Sequence, residues 1–165
     1  MGALGRGRHG GRRGVARTGV SVRFEEPTED GMIRWKPVAM AQTPDFSEVE
    51  SALAVSDQTL HPDLITLYGS YWCGDLEGDE HSGEPVSLVT VFNEQGLRDL
   101  VDSLAVAVRR QVEDGLGDIT FPVAATGSDV FFVLDNATGR ILLQEAGYPP
   151  QKVVAPSLTQ FLAEL

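Results

Sequence analysis

Apolar residues along this 165-residue chain change period several times, and each change marks an element. Phe46, Val49 and Leu53 recur at helical spacing just after Asp45, whose carboxylate suits a helix cap. A short helix is expected there, with those three side chains inward. A second is expected from Pro62, whose fixed φ fits a first turn, with Leu64, Leu67 and Tyr68 as the buried stripe and Gly69 as the stop. Tyr71 and Trp72 then read as strand or loop. From Val86 to Phe92 apolar residues occupy both alternating faces, Val86, Leu88 and Phe92 on one and Val89 and Val91 on the other, which predicts a central strand. Asn93 is placed to cap the longest helix, whose Leu97, Leu100, Val101, Leu104, Val108 and Val112 keep the helical period as far as Gly115.

The remaining segments are shorter. Met32 to Lys36 reads as a strand closed by Pro37, and Pro122 and Gly127 bound a brief extended piece. Val130 to Leu134 and Arg140 to Gln144 flank the turn-rich Asp135-Asn136-Ala137-Thr138-Gly139, the pattern of a hairpin. Ser157-x-x-Gln160 has the form of a capping box opening a last helix with Leu158, Phe161, Leu162 and Leu165 as its stripe. This order of helices and strands predicts a single α+β domain, a mixed and largely antiparallel sheet packed with helices, rather than a doubly wound parallel sheet.

Residues 1–23 stand apart. Glycine and arginine alternate there with no apolar period, so too little surface can be buried to offset the entropy of ordering. A disordered arm over 1–23 and a folded domain over 24–165 are expected, and the length suits one core. The arm lacks the apolar run of a signal peptide and the interleaved aromatics that stack on nucleic-acid bases. No apolar stretch approaches the roughly 18–20 residues of a membrane span, and a single cysteine, Cys73, excludes an internal disulfide. A cytoplasmic protein is the expectation.

Charge alters this picture because it is segregated. The arm holds six arginines and no acid; the other 142 residues carry seven basic and 24 acidic groups, a net charge of −17. Between Lys36 and Arg98 no Lys or Arg occurs, while eleven acids do. Such a stretch repels nucleic acid and anionic lipid, and favours either plain solvation or a basic protein partner.

Candidate chemistry is sparse. His9, His61 and His81 have no metal-ligand spacing, and phosphate-loop, nucleophile-elbow and dinucleotide motifs are missing. Asp75, Glu77, Asp79 and Glu80 alternate like part of a calcium loop, but the turn glycine and terminal Glu spacing of such a loop are not met. Asp75 and Glu77 as an acid and base pair, and Cys73 as a nucleophile, lack supporting residues nearby. No catalytic residue, metal ligand or cofactor is expected.

The segment Leu60-His61-Pro62-Asp63-Leu64 through Tyr68-Gly69-Ser70-Tyr71-Trp72-Cys73-Gly74-Asp75-Leu76 resembles the Syd family, SecY-interacting proteins of the SUKH superfamily. The resemblance extends from Arg34-Trp35-Lys36-Pro37 through Phe46-Ser47-Glu48-Val49-Glu50, the 86–112 region and the hairpin with Asp135-Asn136 and Gly139, to Leu158-x-x-Phe161-Leu162. It covers about residues 32–165; the Gly/Arg-rich start departs from the N-terminal helix and Pro-Ser-Pro-Cys-like turn of such proteins. It implies a SUKH-like fold and a non-enzymatic protein that binds the SecY translocation channel at the cytoplasmic face of the inner membrane, held there through its partner. Basic cytoplasmic loops of the channel would meet the acidic stretch, with Tyr68, Tyr71 and Trp72 as candidate anchors beside Asp75, Glu77, Asp79, Glu80 and Glu84. Buried aromatics also serve simply as core. An immunity-type binder of a toxin on the same scaffold and a small hydrolase are the alternative roles.

Overall fold

A computed structural model describes residues 23–24, 35–74, 76–79 and 85–165. Residues 1–22 of the arm expected over 1–23 lie outside them, as do the strand residues Met32 to Arg34; the last residue of that stretch, Arg23, opens a strand. Arg23–Phe24 (β1) pairs with Trp35–Lys36 (β2), and Val38–Ala39 (β3) pairs with Tyr71–Trp72 (β4), each as a two-stranded antiparallel ribbon. The main sheet has six strands in chain order: Glu77–Asp79 (β5), Pro85–Leu88 (β6), Thr120–Thr126 (β7), Val130–Asp135 (β8), Ile141–Glu145 (β9) and Lys152–Ala155 (β10). Every pairing in it is antiparallel, so the expected α+β domain stands and its sheet is a meander rather than mixed.

Among the described residues four α-helices accompany the sheet: Ser47–Leu53 (α1), Pro62–Gly69 (α2), Glu94–Glu113 (α3) and Leu158–Ala163 (α4). One core unites them. Val49, Leu53, Leu64, Leu104 and Val108 from the helices meet Val86, Phe121, Phe132, Leu134 and Ile141 from the sheet. The helical stripe read from the sequence is the buried stripe of α3, because a 3.6-residue period keeps Val101, Leu104 and Val108 on one side. Phe132 stacks on Phe161 with centroids 4.9 Å apart and rings inclined at 44°, which seats α4 on the sheet.

Several expectations are adjusted by the packing. The Val86 to Phe92 segment is regular only to Leu88, and β6 lies second from the β5 edge rather than at the centre. Its ladder pairs Leu88 with Ala124; the next stretch of β7 contains Pro122, which has no N–H to donate and sits at a register shift. Beyond Leu88 the chain keeps contact irregularly, the Val89 amide donating to the Val123 carbonyl at 2.9 Å. β7 itself is longer than the brief extended piece expected, and β10 has no counterpart in the apolar pattern. Asp45 accepts from the Ser47 amide at 2.9 Å, one residue before the N-cap position of α1, which Phe46 fills; hydrogen bonding from the Ser47 amide and, to a lesser extent, its hydroxyl holds the carboxyl below the usual range. Ser157 caps α4 through the Gln160 amide at 3.2 Å, but Gln160 turns its side chain to Glu164 at 3.0 Å, so the box is only half made.

Asn93 does what its position implies, accepting from the Gly96 amide at 2.9 Å. Asn93→Ala is expected to lower stability by about 1 kcal/mol, whereas Asn93→Ser retains most of it, as read from urea unfolding. Equal stability of both variants and the wild type would remove the cap from the account.

Candidate functional site

Of the expected partner-binding residues, Tyr68 lies on α2, Tyr71 and Trp72 form β4, and Glu77 and Asp79 belong to β5. Pro62 starts α2 as its first residue, and His61 caps it by accepting the Asp63 amide on Nδ1 at 3.2 Å. Along that helix Tyr68 faces inward, 1% exposed, and its hydroxyl donates to the Pro122 carbonyl. Burial raises the phenol well above its ordinary range. Tyr68 therefore ties α2 to β7 and offers no surface. Gly69 lets Pro44 pass close by, since a Cβ there would lie 2.8 Å from the Pro44 ring.

On β4 the two aromatics take opposite sides, as strand alternation requires. Tyr71 is 51% exposed and Trp72 is 6% exposed. The Trp72 indole N–H is buried and has no hydrogen-bond partner among the described residues. Cys73 is buried beside it, and burial pushes its thiol up, which suits a packed side chain. Of the three aromatic anchors only Tyr71 reaches solvent, where Leu76 and Phe92 are also open.

Past β4 the chain is fastened to the β6 segment. The Cys73 amide donates to Val91 at 2.9 Å, Thr90 Oγ1 donates to Gly74 at 3.1 Å, and the Leu88 amide donates to Leu76 at 2.8 Å. β5 continues that line, with Glu77 opposite Ser87, Gly78 opposite Val86 and Asp79 opposite Pro85. Ser87 and Pro85 are exposed and Val86 is fully buried. Leu165 crowds β5: a Cβ on Gly78 would lie 2.9 Å from Leu165 Cβ. Asp75, Glu80 and Glu84 lie outside the described residues, as does His81 of the histidines considered above. Among the described residues no group of three or more His, Cys, Asp or Glu side chains is arranged to hold a metal, and no helix is long and apolar enough to cross a membrane.

Two segments that carry the family resemblance, far apart in sequence, meet at a clamp. Asn136, 4% exposed, accepts the His61 amide on Oδ1 at 2.9 Å and donates through Nδ2 to Gln58 Oε1 and the Thr59 carbonyl, both at 2.9 Å. Gly139, at φ +72°, lies so near the His61 ring that a Cβ would come within 2.6 Å of Nε2. The β8–β9 turn thus fixes the start of α2 and, through it, Tyr68 and β4.

A profile of the family described as Syd protein (SUKH-2) matches residues 15–165. The chain belongs to the Syd family. That match starts nearer the N-terminus than the segments that carry the resemblance. Protein Syd of Pseudoalteromonas atlantica is 30% identical over 142 residues, spanning 84% of this chain and 73% of that protein. Protein Syd of Hahella chejuensis is 33% identical over 137 residues, spanning 83% and 69%. Protein Syd of Shewanella denitrificans is 26% identical over 152 residues, spanning 92% and 67%. For a Syd-family chain the clamp explains why Leu60-His61-Pro62 and Asp135-Asn136 with Gly139 are read together: they are one structural unit.

One surface feature has no place in the sequence reading. A groove of about 810 Å³ opens along the sheet face opposite the main core, floored by Pro122, Phe131 and Val133. The signal for it was available in Val130-Phe131-Phe132-Val133-Leu134, which is apolar on both faces although the main core takes in only Phe132 and Leu134.

Proposed function

We propose that this chain is a non-enzymatic binding protein for the SecY translocation channel, docking on basic cytoplasmic loops and resting on the inner membrane only through that partner. The observation that carries the reading is the interval from Lys36 to Arg98, eleven acids with no Lys or Arg, within a chain of the Syd family. Cytoplasmic loops of membrane proteins carry excess Lys and Arg, and the lipid around them is anionic. An acidic surface is attracted by the first and repelled by the second, so recruitment depends on the channel. Asp75, Glu77, Asp79, Glu80 and Glu84 supply the charge in this reading. Tyr71 is the aromatic contact, whereas Tyr68 and Trp72 are buried.

The test compares vesicles with and without SecY at low and high salt, using wild type and a variant carrying Asp75→Lys, Glu77→Lys and Asp79→Lys. Wild type is expected to bind only the channel-containing vesicles, and the variant to bind them about tenfold more weakly at low salt, with circular dichroism unchanged. Equal binding of both proteins to channel-containing vesicles overturns the acidic mechanism. Equal binding of wild type to both vesicle types overturns channel specificity, and binding to neither leaves the toxin-directed role of a SUKH scaffold in its place.

A further inference from the structure

The groove on the outer sheet face has the construction of a docking site. Phe131, Pro122 and Val133 share that face by register, since Pro122 pairs with Val133 while the neighbouring Phe132 points into the core. Val133 is 5% exposed yet stands outside the main core cluster, and Phe131 is 37% exposed. Leu116 and Tyr148, 49% and 61% exposed, rise from the turns at the groove's margins.

Both walls are held in place before anything binds. Gln111 of α3 brackets Thr120, its Nε2 donating to the carbonyl at 3.0 Å and its Oε1 accepting the amide at 2.9 Å. Gln144 Nε2 donates to the Tyr148 carbonyl at 2.9 Å, bracing the turn that Gly147 makes at φ +82°. A preformed apolar groove loses little entropy on binding.

Its charge selects the occupant. Asp118 and Glu145 line the groove against one cation, Arg110, while Glu113 and Asp114 add exposed acids at the end of α3. Among the described residues none of these acids forms an ion pair; the one found joins Arg109 to Glu48, at 3.0 Å. Anionic lipid would be repelled, and a second copy would bring the same acids against these. We infer that this groove takes a segment of a partner protein with an apolar centre flanked by Lys or Arg. It uses β7, β8, β9 and the end of α3, not the 75–84 stretch, and does not depend on the SecY reading.

The experiment titrates the full chain into three short fluorescein-labelled peptides: an apolar centre with Lys flanks, the same centre with Glu flanks, and a Ser/Gly centre with Lys flanks. Saturable binding is expected for the first, with the other two roughly tenfold weaker or more. Phe131→Ser with Tyr148→Ser, both exposed and so tolerated by the fold, should reduce binding of the first peptide to a similar extent. Asp118→Lys with Glu145→Lys should shift preference toward the Glu-flanked peptide. Equal affinity for all three peptides, no saturable binding, or affinity unchanged in the Phe131 and Tyr148 variant overturns the inference. So does a wild-type dimer in sedimentation velocity that the same variant abolishes, since the groove would then be filled by a second copy.

Discussion

Asn136→Ala is expected to destabilise the protein by about 2–4 kcal/mol, a large share of the roughly 5–15 kcal/mol that holds a domain of this kind together. The side chain is 4% exposed and serves three partners at once: the His61 amide, the Thr59 carbonyl and Gln58 Oε1. Truncation leaves one donor and two acceptors of the α1–α2 connection without this partner, a group left unmatched costing about 1–3 kcal/mol where water cannot replace the lost bond. Asn136→Asp is the sharper control. It keeps an acceptor for His61 but loses both donors and sets a carboxylate toward the Thr59 carbonyl, so it should cost at least as much as alanine. Urea unfolding of both variants checks this, and losses under about 1 kcal/mol would show that the clamp is incidental to stability. Because His61 caps α2 and α2 leads into β4, loosened hydrogen exchange is expected over 62–72 before the rest of the domain.

Phe132→Ala carries a similar or larger expected loss, about 3–5 kcal/mol. Phe132 is 1% exposed in the middle of β8 and stacks on Phe161 at 4.9 Å. Removing the ring forfeits its transfer free energy and leaves a cavity between a central strand and α4, and the sheet cannot collapse to fill it because β7 and β9 fix β8 on both sides. The neighbour makes the comparison: Phe131→Ala, on the opposite face and 37% exposed, is expected to cost at most about 1 kcal/mol. Measured by urea unfolding, equal losses for the two would refute the assignment of faces. Phe161→Ala combined with Phe132→Ala should cost less than the sum of the single changes, since both remove the same contact.

Local chemistry was legible without coordinates. The 3.6-residue stripe of α3, the Asn93 and Ser157 caps, the proline start of α2 and the hairpin around Asp135 to Gly139 each depend on residues a few positions apart, whose interactions the backbone geometry dictates wherever the segment lies. The α+β class followed from their order. The residues of the SecY-binding reading came from a different source, the resemblance and the charge, and of these the structure describes side-chain placement only for Tyr68, Tyr71 and Trp72.

Tertiary structure decided whatever depends on segments distant in the chain. Tyr68 and Tyr71 are equally aromatic in sequence, but only packing against β7 makes one a fastener and leaves the other in solvent. Pro122 ends the regular ladder of β6 because β7 lies beside it, a fact no window around Val86 contains. Asn136 reads as a turn residue until the α1–α2 connection is brought against it, since its three partners lie more than 70 positions away. The groove exists because Pro122, Phe131 and Val133 point away from the main core, beside the end of α3 and the turn at Tyr148. Periodicity reports how many faces of a strand are apolar; only the arrangement of the layers determines which of them is covered.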